Sequence, residues 1–212
     1  MKFVAWQKIS LVDYPGLVST LLFTGKCNFW CEYCHNKVLR TEEGKISEDE
    51  IFEFLEKKGE KLDALCITGG EPCLQKEEIF EFLERIKYDF PHLKLKTDTN
   101  GSDPDYIRRG KKYFNYVAMD FKSLDYSLFS NTSINTILES LEALREYDDY
   151  EVRITVYPPY IKEEDFENIA KLLSQMKTVV IQQYRPVNDV KAYGIETLKK
   201  FCSFFKNCTI RA

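Results

Sequence analysis

Hydrophobic and polar positions along the chain follow two alternating patterns. Short runs rich in apolar and β-branched residues predict strands at "VSTLLFT" (18–24), "ALCIT" (64–68), "LKLKTD" (93–98), "YVAMDF" (116–121), "YEVRITVY" (150–157) and "TVVIQQY" (178–184). Between them, apolar residues recur at helical spacing over 47–58, 76–87, 133–147 and 162–176. Ser47 and Glu50 predict a capping box at the start of the first of these helices. "EIFEFLE" occurs at 50–56 and again at 78–84, as an echo of duplication or as two helices with the same packing need. "RRGKK" (108–112) predicts a helix end with a glycine cap at Gly110 and cations in the last turn.

The first 24 residues differ from the rest. "FVAWQKI" and "LVSTLLF" flank the turn formers "DYPG", which predicts an N-terminal β-hairpin. Thereafter strands alternate with helices, so a parallel sheet with helical crossovers is expected. Six such strands are too few for a closed eightfold barrel. A partial barrel or an open doubly wound sheet fits, in one α/β domain over 1–212. In either architecture the chemistry belongs at the C-terminal strand ends. The polar signals collect there: "GKC" after 18–24, "GGEP" (69–72), "DTNG" (98–101), "DFK" (120–122) and "QQYRP" (182–186).

Composition narrows the function classes. Apolar residues make up 44% of the 212 and charged residues 30%, a globular balance. The net charge of −4 lacks the basic excess of a nucleic-acid binder. No apolar run approaches the roughly 18 residues of a membrane span, and "MKFVAWQKISLVDYPG" has no signal-peptide core. A cytoplasmic protein with reduced thiols is expected, so seven cysteines point to metal or catalysis before disulfides.

Three of the seven, Cys27, Cys31 and Cys34, lie within "GKCNFWCEYCHN" (25–36) at C-x3-C-x2-C spacing. Four chemistries compete. A zinc site would need Cys27, Cys31, Cys34 and His35, an awkward set for one tetrahedral ion because the last two are adjacent. "CEYCH" matches the attachment motif of c-type haem. A thioredoxin-like redox pair leaves Cys27 unexplained. An iron–sulfur cluster normally takes four thiolates, so three would leave one iron open. Cys66, Cys202 and Cys208 sit in apolar surroundings and read as small buried residues. Cys73, just after "GGEP", is the remaining candidate for a fourth ligand.

"LVDYPG", "CEYCHN" with Tyr33 before its last cysteine, "ITGGEP", "DTNG" and "VAMDFK" together resemble the radical S-adenosylmethionine (SAM) enzymes. Within them the likeness is to the glycyl-radical-enzyme activases, nearest to those of anaerobic ribonucleoside-triphosphate reductase, with the pyruvate formate-lyase type second. The resemblance runs from about residue 3 to residue 186. It implies a partial (β/α)6 barrel and a 4Fe–4S cluster held by Cys27, Cys31 and Cys34. The open iron binds the methionine part of SAM, and reductive cleavage gives a 5′-deoxyadenosyl radical. In the activases that radical takes hydrogen from a glycine of a partner enzyme, here an anaerobic ribonucleotide reductase, with a flavodoxin- or ferredoxin-type protein as reductant.

The resemblance also implies roles for further residues. Gly69, Gly70, Glu71 and Pro72 of "GGEP", with Tyr33, would bind SAM, the carbonyls and Glu71 accepting from its ammonium. Lys122, on the same side as Asp120 by strand alternation, would pair with its carboxylate. Asp120, Thr99 and Asn100 are candidates for the ribose. Gln183, with Gln182, sits where the last strand borders the adenosine. A monovalent cation is implied at Asp98, Thr99, Met119 (through its carbonyl) and Asp120. Arg153, inside an apolar strand, needs a partner and faces either SAM, a peptide substrate or a structural carboxylate. Asp13 either holds the substrate backbone or caps its turn. Two other functions stay open: a small-substrate radical SAM enzyme such as a 7-carboxy-7-deazaguanine synthase, and a non-catalytic metal-binding or electron-carrier protein.

Overall fold

β1 (Lys2–Phe3) is a two-residue strand, and the predicted hairpin follows it. β2 (Ala5–Tyr14) and β3 (Leu17–Thr24) pair antiparallel around a turn whose Gly16 has φ +75°, a conformation that costs glycine little. β4 (Ile46–Ser47) pairs antiparallel with β1. α1 (Glu48–Lys58) opens with the expected capping box: the Glu50 amide donates to Ser47 Oγ at 3.3 Å, and the Ser47 amide donates to Glu50 Oε1 at 3.1 Å. β5 (Ala64–Gly69), α2 (Lys76–Asp89), β6 (Lys94–Thr99), α3 (Pro104–Gly110) and β7 (Tyr116–Asp120) follow. Further along lie α4 (Ile134–Leu144), β8 (Tyr150–Val156), α5 (Phe166–Leu172), β9 (Val179–Gln183), α6 (Ile195–Cys202) and β10 (Cys208–Arg211). The computed structural model describes all residues, 1–212.

The chain packs as two units. The first comprises Met1–Asn28, Asn36–Thr99 and Asp105–Val117. There β3 runs parallel to β5, with Ser19 opposite Ala64, and β5 runs parallel to β6, with Cys66 opposite Lys96. α1 buries Ile51, Phe52 and Leu55, and α2 buries Ile79, Phe80, Phe82 and Leu83. Both "EIFEFLE" copies thus turn the same face inward, and their rings meet: Phe52 lies 5.9 Å from Phe82, edge to face. α3 ends with Arg108 and Arg109 in its last turn, as expected. Gly110 is the last helical residue and not a left-handed cap; the end is held by Arg109, which reaches Glu77 with two bonds of 2.6 Å.

The second unit comprises Phe29–His35, Asn100–Pro104 and Ala118–Ala212. β8, β9 and β10 are parallel in that order. α4 buries Ile137, Leu141 and Leu144, the helical spacing read from the sequence. α5 is shorter than the periodic stretch 162–176, because Glu163–Asp165 form a 3-10 turn in front of it. α6 and β10 were not expected. Their signal is faint: only Leu198 and Phe201 mark the inner face of α6.

One expectation is corrected here. Cys202 and Cys208 are not small buried residues; they form a disulfide that ties the end of α6 to the start of β10. β10 is held again at its far end. Arg211 donates to both carboxylate oxygens of Glu151 on β8, at 2.8 and 2.7 Å, and Glu151 is only 3% exposed. Arg211→Ala removes two charge-assisted bonds from a buried carboxylate, while the arginine itself is half-exposed and screened. A loss of about 2 kcal/mol in chemical denaturation is expected. An unchanged midpoint would show that the disulfide and the ladder to β9 retain β10 without this pair. No helix is long and apolar enough to cross a membrane.

Candidate functional site

The cysteine loop follows β3. Lys26 enters it at φ 64°, donating its amide to the Leu39 carbonyl at 2.8 Å and accepting from the Glu71 amide at 2.7 Å. Cys27 is half-buried, Cys31 buried and Cys34 half-buried, and none of the three is in a disulfide. The segment 29–35 is held in the second unit. The Trp30 amide donates to the Phe129 carbonyl (2.8 Å), the Glu32 amide to the Tyr160 hydroxyl (3.0 Å), and Tyr157 donates to the Glu32 carboxylate (2.9 Å). A single zinc ion would need four protein ligands at one point. A four-iron cluster makes a different demand, since each thiolate bonds its own iron.

Two further cysteines lie outside this loop and outside any disulfide. Burial pushes the Cys66 thiol up to about 12, so it is a neutral thiol at physiological pH. Cys73 is buried, and its amide donates to Glu71 at 3.2 Å.

In the first unit the "GGEP" turn packs directly on the start of the cysteine loop. Gly69 has φ +124°, and a Cβ on Gly70 would lie 1.8 Å from the Lys26 carbonyl oxygen. The two glycines are therefore required by their own backbone neighbours. Glu71 is 1% exposed and accepts from the Thr99 hydroxyl at 2.7 Å as well as from the Cys73 amide. Pro72 starts a short 3-10 turn, Pro72–Gln75, whose Gln75 side chain donates to the Gly25 carbonyl at 2.9 Å. Asp98 is ion-paired with Lys96, and Asp13 accepts from the Ser10 hydroxyl within β2.

In the second unit Asp120 stands between two cations. Arg153 Nε lies 2.8 Å from one carboxylate oxygen and Lys122 Nζ 3.0 Å from the other. Burial disfavours the charged form of Lys122, but the adjoining Asp120 carboxylate outweighs it and holds the ammonium's pKa well above the ordinary lysine value. That ammonium sits 5.7 Å from the centre of the Tyr33 ring, within cation–π range. Tyr33 packs against Tyr157 at 5.1 Å and Tyr160 at 5.5 Å. Burial raises its phenol far above the usual value, so it stays a donor, yet its hydroxyl has no partner in the protein. Buried donors are rarely left so. Three thiols along one loop and an unpartnered buried donor in the same loop suit a thiolate-held cluster with a polar ligand beside it.

The remaining expected residues are held by local contacts. Asn100 Oδ1 accepts from the Ser102 amide (2.9 Å), and the fully buried Met119 packs its side chain on Gly101. Gln183 Nε2 donates to the Tyr193 carbonyl (3.1 Å), and Gln182 accepts from Thr155 (3.3 Å). Lys96 was missed, although its alternation with Asp98 was visible. Tyr157 and Tyr160 were missed as well; they lie more than a hundred residues from the segment they hold, and nothing in the sequence marks them.

Comparison with known proteins accords with this geometry. The family model described as Radical SAM superfamily matches residues 21–173. Two proteins of Methanocaldococcus jannaschii, each named a glycyl-radical enzyme activating enzyme, are similar to the chain. One is 34% identical over 194 residues, covering 84% of this chain and 78% of the relative. The other is 30% identical over 179 residues, covering 78% and 67%. A solved structure of hexahistidine-tagged anSMEcpe with bound AdoMet matches with a TM-score of 0.62 at 15% identity, over 84% of this chain. The chain spans 56% of that structure's length, and the likeness is one of fold: α/β with a mostly parallel sheet.

Proposed function

This chain belongs to the radical SAM superfamily, and from that membership we propose that it activates a glycyl-radical enzyme, most specifically an anaerobic ribonucleoside-triphosphate reductase. It is a radical SAM enzyme, and its cofactors are a 4Fe–4S cluster and SAM. The observation that carries the activase reading is the 34% identity, across most of both chains, to a relative that bears that name. When bound, the cluster and SAM together supply a 5′-deoxyadenosyl radical that takes a hydrogen atom from the substrate.

The residues serve that chemistry as follows. Cys27, Cys31 and Cys34 hold the cluster by three thiolates and leave one iron for SAM. The Gly69–Glu71 backbone and the Glu71 carboxylate accept from the SAM ammonium. Glu71 is suited to this because Thr99 and the Cys73 amide fix its orientation. Lys122 pairs with the SAM carboxylate; an ammonium has three donors, and the Asp120 bond uses one. Tyr33 offers its hydroxyl to the bound cofactor. Asn100 and Gln183 contact the nucleoside, and Arg153 acts through Asp120. A flavodoxin- or ferredoxin-type protein supplies the electron.

The reading is tested by incubating the cluster-loaded protein anaerobically with SAM, a reductant and the candidate reductase. The expected result is a carbon-centred radical on the partner whose paramagnetic doublet collapses when its glycine carries deuterium at Cα. A partner that stays diamagnetic while a small molecule stimulates SAM turnover would transfer the chemistry to a small substrate.

A further inference from the structure

We infer that the Lys96 ammonium does at Asp98 what a bound monovalent cation was expected to do, so that this protein's SAM site needs no added cation. The expected donors were Asp98, Thr99, the Met119 carbonyl and Asp120. The side chains around them do not fit a bare cation.

In the first unit, Lys96 and Asp98 are ion-paired, and their side chains are only 4% and 16% exposed. Lysine is almost never buried to that degree unless it is paired. Residues two apart on a strand share a face, so the ammonium reaches the carboxylate without leaving β6. A cation brought to the same carboxylate would meet a like charge in surroundings that screen it poorly.

The pair also sits at a leverage point. Thr99, the next residue, donates to Glu71 at 2.7 Å. A cation at Asp98 thus steadies the strand end from which the "GGEP" turn is fixed. In the second unit the other expected carboxylate is already served by two protein cations, Arg153 at 2.8 Å and Lys122 at 3.0 Å. Each carboxylate therefore carries built-in positive charge within its own unit. A tethered ammonium supplies that charge at any salt composition, whereas a free cation must be bound from solution. Lys96 is on this account a positioning residue, acting on the SAM site through Asp98 and Thr99.

The test measures equilibrium SAM binding to the cluster-loaded protein in potassium, sodium or choline chloride at equal ionic strength. The dissociation constant of the natural protein should agree across the three salts to within about twofold, far below the 5- to 150-fold typical of linked sites. Lys96→Met should bind SAM about tenfold more weakly in choline and recover in potassium or sodium. Lys96→Arg should stay insensitive to the salt. Without cluster or SAM, the melting temperature of Lys96→Met should rise in potassium over choline while that of the natural protein does not.

Natural protein that binds SAM about tenfold tighter in potassium than in choline would overturn the inference. So would a folded Lys96→Met that is equally weak in all three salts, since the pair would then be merely structural. If Lys96→Met does not fold, the natural protein and Lys96→Arg decide the matter. The inference rests on the SAM site as assigned above and on the cation that the resemblance implied there, and not on the identity of any partner. No partner protein enters the assay, so its failure leaves the activase reading untouched.

Discussion

Alanine at Cys27, Cys31 or Cys34 is expected to abolish the brown iron–sulfur absorbance and all SAM cleavage, while alanine at any other cysteine leaves both intact. The asymmetry follows from the chemistry available to each thiol. A cluster is held by thiolates, and a thiolate is disfavoured where burial removes its hydration. Cys66 is such a case, its thiol pushed up to about 12 inside the sheet. Cys202 and Cys208 are joined to each other and have no thiol to offer. Cys73 is the serious rival, because it is in no disulfide and is close in sequence to "GGEP". Its loop is nevertheless committed to Glu71, which takes the Cys73 amide hydrogen bond. Iron and sulfide analysis, visible absorbance and a 5′-deoxyadenosine assay on the seven variants separate these outcomes. Iron lost from Cys73→Ala would contradict the three-thiolate assignment. Cys66→Ala, which trims a core side chain, is expected to cost about 1 kcal/mol of stability and no iron.

The second large effect is expected at Lys122. On the proposed reading, Lys122→Met removes one charge-assisted bond to the SAM carboxylate, worth about 1.5–3 kcal/mol. SAM binding should weaken by about ten- to a hundredfold, since 1.4 kcal/mol is one decade. The cluster should survive, because Lys122 holds none of it. The fold should survive too, because Arg153 still neutralises Asp120 from 2.8 Å away, so no buried carboxylate is abandoned. Asp120→Asn provides the contrast. It strips the partner charge from two cations that are each less than a fifth exposed, and a loss of about 3 kcal/mol is expected. Equilibrium SAM binding and urea melts of both variants distinguish a ligand contact from a structural one. A Lys122→Met protein with unchanged SAM affinity would remove Lys122 from the binding site.

Much of the fold was legible because periodicity is a local property. The hairpin, the strands and the first helix with its Ser47–Glu50 box each depend on residues close along the chain, and all appear near their expected bounds. The three-cysteine spacing and "GGEP" are equally local, and they were enough to select the superfamily. What they left open was how each polar side chain is spent. The glycines of "GGEP" were read as places where backbone approaches closely; the structure adds that the Thr24–Lys26 backbone occupies the space a Cβ would need.

The side-chain pairings were decided only in three dimensions. Glu71 with Thr99, Asp120 with Arg153, Glu151 with Arg211 and Tyr33 among Tyr157 and Tyr160 join residues 28 to about 130 positions apart. Hydrophobic periodicity reports which face of an element is buried but not which element covers it. A buried charge must find a partner, and sheet register and helix packing choose that partner. By itself, then, the sequence determined the elements up to β9 and the three-cysteine loop that marks the superfamily. Packing determined which charges meet, as at Asp98, where β6 carries its own cation two residues before the carboxylate that needs it.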